Sequence, residues 1–444
     1  MFENILRQDQ VIDQLKADIT GGALAPSVLF SGPGYSGKGT AALELARVLC
    51  CESESNRGSW NCPCSSCVRH RNMVSPDLLL LGRRRFFEEC SASSDAFLRH
   101  PENAGTRMLF IRSIRKLLAR FNGVLWEDDS RLGKVKVQIA VLEEELEDIG
   151  TENGKKDLTA KELEKKCEGI VKKAAKLEAE GLGEFVPIAQ IRRAAYWSRM
   201  APLGRHKCII IENAESMQEG AKNSLLKILE EPPPRLSIIL TSSRPRSLLP
   251  TMLSRLREYR FAKRNVDAEA EVISRIFREN QSFFSIESYL ASFLSVNSAT
   301  LYFVGAFFTA SVAAEAVRAL RTQRRGIPAV LADLGKFAAP IGEEGGLGRP
   351  AENVKSALEK VMGAAEGFET PGLFVRFLQQ CSAVLSAWLR SGDADGTNIG
   401  AEKTACAGLW LRELKRTMTE SDLFNINPFM ALERLFEALK TGMT

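Results

Sequence analysis

The chain alternates short, largely apolar runs with longer stretches in which apolar residues recur every three or four positions. The short runs at 25–30, 78–81, 208–211 and 236–240 are too brief for helices. Each reads as a strand buried on both faces. Between the last two lies an amphipathic stretch, 221–229, halted by Pro232, Pro233 and Pro234, which cannot continue a helix. Strand, helix, strand, the polar turn Thr241-Ser242-Ser243 and a trailing Ser254-Arg255 make a βαβ unit with its functional edge at the strand ends. Residues 259–261 close this region. Helical spacing also marks 2–19, 40–49 and 108–121. Val135, Ile139, Leu142, Leu146 and Ile149, then Ala160, Leu163, Cys167, Ile170, Ala174 and Leu177, step by threes and fours. With the polar turn 151–157 between them they predict an antiparallel helical hairpin. Helices are expected over 266–308, at 310–325 and from 352 onward, with a flexible loop at 342–348, a polar interruption at 391–400 and a closing helix at 429–439.

The run at 25–30 leads into Gly32-Pro33-Gly34-Tyr35-Ser36-Gly37-Lys38-Gly39-Thr40, which fits G-x-x-x-x-G-K up to its last letter. Glycines let backbone N–H groups turn inward around phosphate, and the following helix offers the same anion its positive end. Lys38 would reach the β and γ phosphates. Where the motif needs Ser or Thr to hold Mg²⁺, the chain has Gly39. Thr40 comes one residue late and points about 100° away on a helix. The bland alternative is a glycine-rich turn without nucleotide.

At 444 residues several domains are expected, and a net charge of +5 is too mild to argue for nucleic acid by itself. Met1 opens on polar text, and no unbroken apolar run approaches the length that spans a bilayer, so no membrane is expected. Ten cysteines under these conditions point to a reducing cytoplasm and to metal before disulfides. Cys62, Cys64 and Cys67, with a fourth thiolate from Cys50 or Cys51 at the preceding helix end, suit tetrahedral Zn²⁺. His70 or Cys90 is an alternative ligand. No position is left open for water, so a zinc here is structural. A degenerate loop of reduced thiols is the other reading.

The phrase Asn223-Ser-Leu-Leu-Lys-x-Leu-Glu-Glu-Pro232, followed by Leu253-Ser254-Arg255, resembles the AAA+ subunits of the bacterial DNA polymerase III clamp loader. So do residues 2–8, which resemble the opening motif beside the adenine, Ser75-Pro76-Asp77, and Ile188-x-x-Ile191-Arg192-Arg193. Family members carry a four-cysteine zinc module here with C-x-x-C-x-x-C as its second part. This chain has C-x-C-x-x-C, and Cys51 followed by Glu52 matches the family's first ligand, so the resemblance implies Cys51, Cys62, Cys64 and Cys67 as the zinc ligands and leaves Cys50 as a small apolar residue. The resemblance implies an α/β AAA+ nucleotide-binding fold over 1–264, with a zinc module at 50–67. It implies a helical lid over 265–325 and an all-α collar over 326–444. It lapses from about 83 to 185. That segment reads as a helical insertion, either a separable arm facing a partner or DNA, with Arg112, Arg115, Lys116 and Arg120 on its basic stretch, or a solvated spacer.

Hydrolysis in this fold needs a Walker-B Asp-Glu pair, an Mg²⁺ hydroxyl and a lid arginine. The chain has Glu212-Asn213, Gly39, and Val296-Asn-Ser-Ala-Thr-Leu301 without arginine. Glu212 could still reach a metal. Ser254 and Arg255 keep the arginine that acts in a neighbour's site. This combination resembles the delta-prime type of subunit, a stationary member that binds ATP or ADP, if at all, without hydrolysis. Implied partners are gamma/tau and delta subunits in a hetero-oligomeric ring, and through it the sliding clamp and primed DNA in the nucleoid-associated replisome. The alternatives are an ATP-hydrolysing gamma/tau-type subunit and an AAA+-derived binding module outside replication.

Overall fold

The structure, a computed structural model, describes residues 1–444 except 83–85, 128, 151–158, 184, 282, 284, 294–297, 321–326, 352, 364–370, 392–399, 425–426 and 442–444. The hairpin turn at 151–157 and most of the interruption at 391–400 therefore lie outside the described residues, as does the start of the lid text at 296–297. The chain divides into two compact units, Met1–Phe293 and Leu294–Thr444.

The first unit is built on a parallel sheet of β1 (Ser27–Ser31), β2 (Leu78–Leu81), β3 (Lys207–Ile211), β4 (Leu236–Ser242) and β5 (Arg257–Arg260), in the order β2-β3-β4-β1-β5. Every residue of β1 to β4 is buried, as largely apolar runs lead one to expect when both faces are covered. Alternation sorts them into two cores. Leu79, Leu81, Ile209, Ile211, Ile238 and Leu240 face one, whereas Leu78, Leu80, Cys208, Ile210 and Ile239 face the other. This is the α/β fold of the AAA+ type.

The second core is covered by α1 (Asp9–Thr20) and α2 (Lys38–Leu49). The expected helix at 2–19 begins only at Asp9. Phe2 and Arg7 have left-handed φ of 64° and 56°, and the buried Phe2 and Ile5 anchor an irregular segment instead. A short α3 (Ser65–Arg71) follows the cysteines. The first core is covered by α4 (Phe86–Arg99), α5 (Ala104–Leu118), α6 (Ser130–Gly150), α7 (Ala160–Gly181), α8 (Ile188–Ser198) and α9 (Glu219–Glu230).

The expected separable arm is therefore corrected. Phe86, Phe97, Phe110, Ile114, Leu117 and Trp126 share one continuous core with the strand residues Leu79 and Ile209. The basic stretch is spent internally. Arg112 donates to Arg71 O at 2.7 Å, Arg115 to Asn72 O at 3.1 Å, Lys116 pairs with Glu89 and Arg120 with Glu212. The antiparallel pair α6 and α7 is laced by Lys166–Asp148 at 2.9 Å and by Lys173–Glu145. After the short α10 (Pro250–Leu253), the helices α11 (Val266–Phe277) and α12 (Ile286–Ala291) pack on Ala92 and Ala96 of α4.

The second unit is all helical: α13 (Ser298–Leu320), α14 (Ile327–Glu344), α15 (Val354–Gly363), α16 (Pro371–Arg390), α17 (Gly400–Phe424) and α18 (Pro428–Thr441). The helix α13 runs unbroken through 308–310, where two helices were expected. The stretch 265–325 is thus shared between units, with α11 and α12 in the first and α13 in the second. One expectation on membrane length is corrected here. Thr300–Ala319 is long and apolar enough to cross a bilayer, with mean hydropathy 1.5, although 67% of that window is buried inside the unit. Interspersed Gly, Ser and Thr keep its unbroken runs short, which hid it from a search for runs.

Candidate functional site

The loop between β1 and α2 turns as its glycines allow. Gly32 and Gly37 take φ of 141° and 96°, and a Cβ on Gly32 would lie 2.4 Å from Phe261 O. The loop therefore delivers α2 N-terminus first toward its own concavity, the arrangement that binds phosphate. Lys38 is buried, and its Nζ donates to Gly32 O at 2.7 Å, Pro33 O at 2.5 Å and Ser36 Oγ at 3.3 Å. Burial pushes its pKa down to about 8, against the opposing pull of Glu215 and Glu212. Gly39 offers no side chain, and Thr40 is exposed one position further along α2.

Glu212 directly follows β3 and is buried. Its carboxylate pairs with the equally buried guanidinium of Arg120, which follows α5. Asn213 adopts a left-handed φ of 51°, and its N–H donates to Thr241 Oγ1 at 3.2 Å. Glu215 Oε1 accepts from Ser243 N–H at 2.9 Å, which ties the ends of β3 and β4 together. Beside these residues lies a cavity of about 220 Å³, with Leu81, Gly82, Arg120, Trp126, Val186 and Gln218 on its wall.

Ser254 and Arg255 follow α10 and are exposed. Arg255 Nη2 lies 2.6 Å from Glu230 Oε1 at the end of α9, and Nη1 donates to Thr251 O at 2.6 Å and Ser254 Oγ at 3.3 Å. The finger candidate is thus held close to its own surface.

The sulfurs of Cys51, Cys62, Cys64 and Cys67 all lie within 4.8 Å of one another. Cys51 Sγ is 3.7 Å from Cys62 Sγ and 4.0 Å from Cys64 Sγ. Four thiolates around a tetrahedral Zn²⁺ at about 2.3 Å stand about 3.8 Å apart, so this donor set fits zinc. Cys50 points elsewhere, toward His206 O at 3.0 Å, and Cys90 is buried in the sheet core. Neither they nor His70 join the four-sulfur group. Arg47 bolts the module to α2. It pairs with Glu44 at 2.5 Å and donates to Cys67 Sγ at 3.2 Å, Ser59 O at 2.8 Å and Gly58 O at 2.9 Å. Arg112 lies over the Trp60 ring at 5.4 Å, which joins α5 to the same loop.

Sequence reasoning missed Arg264. Its Nε and Nη2 donate to Leu6 O at 3.1 and 2.9 Å, and Nη1 donates to Tyr35 O at 2.6 Å. It follows β5 within a plain basic cluster, so no local pattern distinguishes it. Arg120 was noted only as one charge among several.

A glycine-rich turn after the first strand, in a parallel sheet of the order β2-β3-β4-β1-β5, defines an α/β domain of the AAA+ class. More narrowly, a family model described as DNA polymerase III, delta subunit matches residues 7–265, and the chain belongs to that family. Over 80 residues it is 39% identical to DNA polymerase III subunit delta' of Pseudomonas aeruginosa, a stretch covering 18% of this chain and 24% of that one. Over 85 residues it is 32% identical to DNA polymerase III subunit gamma/tau of Mycobacterium tuberculosis, covering 19% and 14%. The matched stretches thus span a quarter or less of these relatives. The crystal structure of a DNA polymerase III gamma subunit-related protein from Thermotoga maritima is 19% identical. It covers 58% of this chain and 80% of that one with a TM-score of 0.27, too loose a superposition to bear on the fold.

Proposed function

We propose that this chain is a non-hydrolysing subunit of the DNA polymerase III clamp loader. On this reading it sits in a ring with gamma/tau and delta subunits in the cytoplasm. There it supplies Arg255, oriented by Ser254, to a neighbour's ATP while the ring loads the sliding clamp on primed DNA. The observation that carries the reading is the buried Arg120–Glu212 pair. Hydrolysis asks a P-loop hydroxyl and a Walker-B carboxylate to hold Mg²⁺, and a second carboxylate to position water. Here the hydroxyl is missing at Gly39, the residue after Glu212 is the neutral Asn213, and the Glu212 carboxylate is committed to a guanidinium. Removing one partner of a buried ion pair costs several kcal/mol, roughly 3–5. A gamma/tau-type ATPase is the second reading, favoured by the intact Lys38 and the preserved loop turn. The isolated chain with Mg²⁺ should turn over ATP no faster than background. Steady hydrolysis that disappears in Lys38→Ala would overturn the proposal in favour of the second reading.

Zinc held by Cys51, Cys62, Cys64 and Cys67 completes the proposal. With all four positions taken by sulfur, the metal cross-links the loop to α2 and α3 and does no chemistry. Protein purified without chelator should carry one zinc per chain. Metal analysis well below one equivalent in folded protein would remove zinc from the reading.

A further inference from the structure

A nucleotide whose phosphates sit at the α2 N-terminus must run its ribose and base outward, past the loop tip and along neighbouring chain. That neighbouring chain consists of the N-terminal segment and the residues leaving β5. They are fastened together, since Gln8 Nε2 donates to Ala262 O at 2.8 Å and Gln8 Oε1 accepts from Ala262 N–H at 3.0 Å. Arg264 reaches from this chain to the loop tip. Each of its three nitrogens donates to a backbone carbonyl, Nε and Nη2 to Leu6 O on the segment and Nη1 to Tyr35 O on the loop tip. Its Nη2 comes within 3.0 Å of where a Cβ on Gly37 would stand. Lys38, for its part, turns its ammonium into the loop's own carbonyls.

We propose that Arg264 decides whether this site admits a nucleotide: bridging Leu6 and Tyr35 beside Gly37, it closes the P-loop with a group from the chain itself. The proposal deepens the non-hydrolysing reading and rests on it for the location of the site. A guanidinium is suited to the task, because its planar fork satisfies two carbonyls at once and never loses its charge. A nucleotide must displace these bonds before it can seat. If the open form is populated at about one part in a hundred, apparent affinity falls about 100-fold.

The test is equilibrium binding of a fluorescent ATP analogue to the full chain with Mg²⁺, for wild type, Arg264→Ala, Arg264→Met and the double variant Arg264→Ala/Lys38→Ala. Arg264→Met keeps the apolar stem and loses every donor, so it carries the comparison if the alanine variant melts at low temperature. The expected result is a gain in affinity of about 100-fold over wild type in both single variants, lost again in the double variant. Equal affinity in wild type and single variants, binding in none of them, or a gain that survives Lys38→Ala would each overturn the proposal. Turnover measured in the same samples separates the two ideas. Affinity unchanged by Arg264→Ala and Arg264→Met, with no hydrolysis by wild type, defeats the latch alone, whereas hydrolysis by wild type defeats the stator reading.

Discussion

Arg255 shows how a residue prominent in sequence acquires meaning only with its neighbours. In this chain it is partnered by Glu230, and both side chains are partly exposed at 33% and 48%. Such a pair is worth about 0–1 kcal/mol, so a phosphate from an adjacent subunit competes with it easily. On the proposed function Arg255→Ala leaves the isolated chain unchanged in stability within about 0.5 kcal/mol. It lowers the clamp- and DNA-stimulated ATPase of an assembled loader without preventing assembly. A finger is worth on the order of 10³–10⁵ in rate where it acts alone, and the loss here is smaller because other sites keep theirs. Arg255→Lys is nearly as harmful, since a point charge lacks the planar fork. Unchanged stimulated ATPase in loader containing Arg255→Ala would leave the residue a surface charge. Legibility at this scale was uneven. The spacing around Lys38 and the cysteine set were readable because each motif is local. Arg120 and Arg264 were not, because their partners Glu212, Leu6 and Tyr35 are distant in sequence.

At the scale of elements, periodicity found the strands to within a few residues. The run at 78–81 became β2 unaltered, and the hairpin helices became α6 and α7. Periodicity states that a helix has an apolar face, not what covers it. The stretch 108–121 was accordingly open to being an outward basic arm, yet its arginines close off the ends of the cysteine helix and the β3 carboxylate. This reverses the expectation for a deletion. Replacing 83–185 by a Gly/Ser linker costs little in loop closure, but it strips the cover from Leu79, Leu81 and Ile209. The linker variant should aggregate or lose cooperative unfolding. Within the intact chain, Phe110→Ala or Trp126→Ala should cost about 3–5 kcal/mol in a urea titration. A soluble, monodisperse linker variant with an undiminished cooperative transition would restore the separable arm.

For the whole molecule, the pairing of β1 has a consequence for how the chain is made. Of the five strands, β1, which leads into the glycine-rich loop, is made before the others, yet its neighbours in the sheet among the described residues are β4 and β5, with Leu29 set between Leu240 and Glu258. Sheets of such high contact order form slowly even in a complete chain. During synthesis at roughly 5–20 residues per second, β1 waits on the order of ten seconds or more for its first partner, and the segment 83–185 lengthens the delay. Throughout that interval a strand with the apolar centre Val28-Leu29-Phe30 has two open edges, which is the condition that invites wrong pairing between chains. Cover from nascent-chain chaperones, and a translation rate that does not stall before β4, therefore bear on the yield of this protein separately from its final stability.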